Sequence, residues 1–126
     1  MFALHLYVGW SAILAGLLAG TLLGLGFHGE DWLGGYHSWR RRLLRLAHIS
    51  LVGTGLLNVA FAVSLPHLHF VTPPKIASVA FIIGAITMPS VCLLAAWQRP
   101  CRHLFFVPVS SLILAVLDLL WGGMLR

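Results

Sequence analysis

Residues 3–27, ALHLYVGWSAILAGLLAGTLLGLGF, contain no charged side chain. At about 1.5 Å per residue this run is long enough to cross the hydrocarbon of a bilayer as a helix. Lipid offers the backbone no hydrogen-bond partners, so a run of this kind has to satisfy its own amides and carbonyls. Three further apolar runs follow. The sequence predicts an all-α membrane protein with spans at about 3–27, 39–65, 75–97 and 103–122, joined by short loops into an up-down-up-down four-helix bundle. Of the 126 residues, 60% are hydrophobic and 9% charged, and nothing outside the spans is long enough to bury a second core, so residues 1–126 are expected to form one domain.

The expected boundaries rest on local chemistry. Gly24, Gly26 and Gly29 favour a helix end after the first span, and Glu30, Asp31, Trp32 and Tyr36 read as an interfacial loop. Ser38 is a candidate N-cap for the second span, whose first turns carry Arg40, Arg41, Arg42 and Arg45. Pro66 closes that span, and Thr72, Pro73 and Pro74 open the third, which contains Pro89. Gly122 and Gly123 stop the fourth. The first span is expected to remain in the mature protein, since no cation precedes it and its apolar run exceeds a signal peptide's core.

Of the eight Lys and Arg residues, six (Arg40, Arg41, Arg42, Arg45, Arg99 and Arg102) fall in or beside the loops between spans 1 and 2 and between spans 3 and 4. Lys75 and Arg126 fall on the other side. The positive-inside rule then places both termini outside, in a bacterial case across the cytoplasmic membrane. The net charge of +5 is explained by this topology and does not indicate nucleic acid. Cys92 and Cys101 form neither a metal motif nor a redox motif.

Within the first span Ala12, Gly16, Gly20 and Gly24 recur every fourth residue, and the next step is His28. Such a stripe of small residues lets another helix, or a flat cofactor, approach the backbone closely. Seven histidines occur in the chain. His48 lies about one turn deeper than Arg45, at a depth where a polar ring requires a partner. A haem b held by His48 with His28 or His103 is one expectation, with Trp39, Arg41 and Arg45 meeting its propionates or an anionic headgroup. A quinone facing the same residues is another. The separations His5 to His28 and His48 to His67 correspond to about 28–35 Å of helix, which puts both histidine levels near the surfaces and speaks against a two-haem arrangement, so one haem at most is expected.

On the outer side His5, His67 and His69 could together bind copper or zinc. Asp118 is the one acidic residue inside a span. An intramembrane carboxylate calls for a partner, and a structural pair with Lys75 is favoured over a role in orienting His5. Ser50, Thr54 and Asn58 line one side of the second helix, with Asn58 near mid-depth.

Signatures of phosphate-binding loops, nucleophile elbows, zinc proteases and dinucleotide folds are absent, so no catalytic role is assigned. Three functions remain. The chain is a small electron-transfer subunit carrying haem b or facing a quinone near the inner interface. Alternatively, it is a cofactor-free accessory subunit, docking by its glycine stripe on other membrane subunits or on its own copies. Third, it is a metal or small-solute carrier using the outer histidines.

Overall fold

The computed structural model describes residues 1–68, 70 and 73–124. Four long helices occur among them: α1 (Phe2–Gly26), α2 (Trp39–Ser64), α3 (Lys75–Trp97) and α4 (Phe106–Met124). Two 3-10 turns, Trp32–Gly34 and Arg99–Phe105, lie between α1 and α2 and between α3 and α4. No strand occurs among the described residues. All four helical segments are long and apolar enough to span a membrane.

The first three helices fall within about a residue of the expected spans. The fourth begins as an α-helix at Phe106 and not at 103, because residues 99–105 wind as a 3-10 turn with Pro100 near its start. Pro108 then occupies the first turn of α4, where its missing N–H removes no intrahelical bond. Ser38 caps α2, its Oγ accepting from the Arg41 N–H at 3.3 Å. Upstream of that cap the chain reverses through Leu33, Gly34 and Gly35, all with positive φ. Two glycines make this reversal inexpensive, whereas Leu33 holds a conformation its Cβ disfavours.

Each helix packs on the next in the chain, and α1 touches α3 only over a small area. The α1–α2 contact pairs Gly9 with Val59, Gly16 with Val52 and Gly20 with His48, so one helix is followed forward as the other is followed backward. At Gly9 and Gly55 a Cβ built on either residue would sit 2.7 Å from the other's carbonyl oxygen. Only a hydrogen fits there. The expected stripe is therefore used in part and in a different register. Gly16 and Gly20 face α2, Ala12 is half-buried, and Gly24 has nothing within 4 Å of its would-be Cβ. Gly9, near the other end of α1, meets α2 where Gly24 does not.

Most buried residues lie on α2 and α3, the two middle helices. One core cluster joins Phe61 to Ala77, Ala80, Phe81 and Ala115; a second joins Leu43 to Ala95 and Ala96, with Trp39, Cys101 and Phe105 packed against it. On the flanking helices Tyr7, Leu22, Leu25 and Trp121 are largely exposed. Such side chains belong in lipid.

Candidate functional site

The ring of His48 packs against Gly20 of α1, close enough that a Cβ there would come within 2.5 Å of Cε1. Its Nδ1–H donates to the carbonyl of Gly16 at 2.7 Å. That carbonyl fixes both the tautomer and the ring plane. Among the described residues only Nδ1 is hydrogen-bonded, and Nε2 has no protein partner. The flat group that the glycine stripe accommodates is this imidazole. His48 also forms part of the wall of a cavity of about 210 Å³, completed by Ala19, Leu22 and Leu23 of α1, Leu44, Ala47 and Leu51 of α2, and Leu93 of α3. Leu22 and Leu93 at its edge are exposed, which opens it to the surface of the bundle.

His48 meets α1 at Gly16 and Gly20, whereas His28 lies eight residues further along, roughly 12 Å away at helical rise. His28 is exposed, and so is His103, which sits in the 3-10 turn packed on α3 and α4. The structure brings neither of them to His48. An engineered cavity of about 150 Å³ accepts a benzene ring, so the space at His48 is of a size that takes one six-membered ring.

Arg41 and Arg45 are occupied within the chain. The Arg41 side chain, 3% exposed, turns back into the α1–α2 loop, where its guanidinium lies over Phe27 at 4.7 Å, Trp32 at 5.7 Å and Tyr36 at 5.8 Å. One terminal nitrogen donates to the Glu30 carbonyl at 3.0 Å, while Nε is buried without a partner among the described residues. Arg45 stacks over Tyr36 at 4.5 Å and donates to that residue's carbonyl. Trp39 donates through Nε1 to Ala95 O at 2.8 Å and ties α2 to α3. These three contacts stabilise this end of the fold, tying the α1–α2 loop and α3 to the start of α2.

The outer histidines separate as well. His5 is fully buried and its ring nitrogens are both engaged, Nδ1 with Asn58 Oδ1 and Nε2 with Ser78 Oγ, each at 2.7 Å. Asn58 donates from Nδ2 to the carbonyls of Thr54 at 2.9 Å and Phe81 at 3.4 Å, which orients its oxygen as the acceptor. The neutral ring therefore carries its hydrogen on Nδ1, and the Ser78 hydroxyl donates to Nε2. Phe61 meets the ring edge-on at 4.6 Å. His5 joins α1, α2 and α3 in this way and has no lone pair left for a metal. His67 is exposed in the turn after α2, and His69 lies outside the described residues, as do Thr72 and Arg126. No cluster of three or more metal-ligating side chains occurs among the described residues.

Asp118 accepts from the backbone N–H of Ala77 at 2.8 Å and so caps the start of α3 from α4. Its partner is an amide and not Lys75 or His5. Asp118 and Lys75 do line a common cavity of about 440 Å³ with Pro73, Pro74 and Ile76. A wider groove of about 610 Å³ between α3 and α4 is lined by Ile76, Val79, Ile83, Phe106 and Leu114, with Lys75 at one end. It is larger than the cavity at His48 but holds no group suited to taking a proton or a metal near its centre. Chemistry therefore centres on His48. A comparison with protein-family models, curated proteins and solved structures finds no match for the chain.

His48 was legible in the sequence from its depth. The residues that sequence reasoning missed are Gly16 as a backbone acceptor, Ser78 as the third member of the His5 network, and Gly9 with Gly55 at the helix crossing. Gly9 carries a weak signal, since it lies seven residues before Gly16 on the same helical face.

Proposed function

We propose that this chain is a small integral-membrane subunit of an electron-transfer assembly, and that it receives the ring of a quinone or quinol at His48. Its helices cross the bilayer up-down-up-down with both termini outside, which puts His48 in the inner half. The observation that carries the reading is the Nδ1–H to Gly16 carbonyl bond beside an apolar, lipid-facing space for a single ring. A ring held in that tautomer presents Nε2 as an acceptor for the hydroxyl of a quinol. Leu23, Leu44 and Leu51 supply apolar walls around it, as ligand cavities commonly do. The quinone arm of the expected function is favoured over haem b because, among the described residues, neither His28 nor His103 is brought to His48 as a second axial ligand. Electrons pass to or from a cofactor held by a partner subunit.

The test is titration of the detergent-purified protein with a short-chain quinone, read by quenching of its tryptophan fluorescence, alongside His48→Leu. Saturable binding that weakens at least tenfold in the variant is expected. Equal binding by both proteins would remove the reading, and a reversible haem band in the reduced-minus-oxidised spectrum would replace it with the haem one.

The accessory-subunit reading loses Gly16 and Gly20 of its stripe to α2 of the same chain and keeps Gly24 open for contact. The carrier reading loses His5 to the network with Asn58 and Ser78.

A further inference from the structure

With Arg41 and Arg45 taken up by the loop, the inner end of the fold retains two exposed guanidinium groups that converge on one cleft. Arg40, from the first turn of α2, and Arg99, from the start of the 3-10 turn after α3, line a space of about 410 Å³. Trp39, Trp97 and Ser38 complete much of its wall. Neither arginine makes a hydrogen bond or ion pair to another described residue, in contrast to Arg41 and Arg45. No carboxylate lines the cleft, although Glu30 and Asp31 belong to the neighbouring loop. Its floor is fixed, since the Trp39 indole is bonded to Ala95 O and packs against Ala95, Ala96 and Leu43. Trp97, by contrast, is 57% exposed at the rim.

We propose that this cleft binds the phosphate of an anionic phospholipid of the inner leaflet. Two guanidinium groups on separate segments can each take phosphate oxygens with directed N–H donors. An exposed tryptophan at the rim suits the boundary between headgroup and acyl chain, where amphipathic rings concentrate. The cleft lies at the end of the fold that carries six of the chain's eight cations, the end that the positive-inside rule assigns to the cytoplasmic leaflet, where anionic lipids reside. The occupant is thus a lipid with a net negative headgroup, such as phosphatidylglycerol, and not a zwitterionic one.

Native mass spectrometry of the detergent-purified protein, titrated with phosphatidylglycerol or phosphatidylcholine, tests the proposal. One phosphatidylglycerol should bind in preference to phosphatidylcholine. R40Q/R99Q should weaken that binding by roughly 25-fold, about fivefold for each arginine. R42Q/R102Q removes two exposed cations that do not line the cleft, and it should leave the preference within about twofold, because distributed surface charge is screened. Equal losses in the two double variants, or full retention in R40Q/R99Q, would overturn the site. Melting curves in millimolar inorganic phosphate form the other arm. If free phosphate stabilises the protein as much as phosphatidylglycerol does, and R40Q/R99Q removes both effects, a soluble phosphate site replaces the lipid one. All four arginines are exposed, and matched melting temperatures of the two variants without lipid confirm that both are folded.

Discussion

Replacing Asn58 by Leu should expose the energetic role of the His5 network. The change preserves side-chain volume while removing the acceptor of the His5 Nδ1–H and the donor to Phe81 O. A buried donor left without a partner costs about 1–3 kcal/mol. Interhelical hydrogen bonds in membranes average about 0.6 kcal/mol, with a maximum near 1.7. Because His5 is fully buried and no water reaches it, a loss of about 2 kcal/mol is expected for Asn58→Leu. His5→Phe keeps a ring against Phe61 and leaves Asn58 Oδ1 orphaned, for a loss of about 1–2 kcal/mol. In the double variant both polar partners are gone, so the cost should fall below the sum of the singles by about 1 kcal/mol. Reversible unfolding in mixed micelles with increasing SDS, followed by tryptophan fluorescence, supplies the four free energies of the cycle. A coupling indistinguishable from zero would refute the network.

Gly9→Ala should destabilise the fold by about 1–3 kcal/mol in the same assay, because its Cβ would come within 2.7 Å of the Gly55 carbonyl. Gly24→Ala, which meets open space, should leave stability unchanged or slightly improved. Asp118→Asn keeps an acceptor for the Ala77 N–H and should be nearly neutral, whereas Asp118→Leu should cost about 1–2 kcal/mol, seen as a lower unfolding midpoint. Arg41→Gln should release the α1–α2 loop, measured as faster amide exchange across residues 27–38 with little change in α3, and unchanged exchange in the loop would contradict the aromatic cage.

Length and hydropathy suffice to define four spans, since one residue contributes a fixed rise and lipid tolerates little else. The Ser38 cap was legible for the same local reason. Which side chains meet between helices depends on rotation and register, and these are set by packing over the whole contact. A fourfold glycine period pointed to Gly24, yet the crossing selects Gly9, because residues seven apart share a face as well as residues four apart. The partner of His48 is the Gly16 carbonyl, and a backbone carbonyl has no signature in sequence, so Gly16 could not be foreseen. For His5, a position near the chain start suggested the surface. Its burial arises from Asn58 and Ser78 on two other helices. The loop aromatics, by holding Arg41 and Arg45, decide which of the clustered arginines stay free.

The measurement closest to the central claim is the quinone content of the protein purified in mild detergent, extracted and quantified per chain, for the wild type and for His48→Leu of equal thermal stability. About one quinone per wild-type chain, lost in the variant, is the predicted result. Quinone absent from the wild type, or retained equally by both, would contradict the assignment of His48.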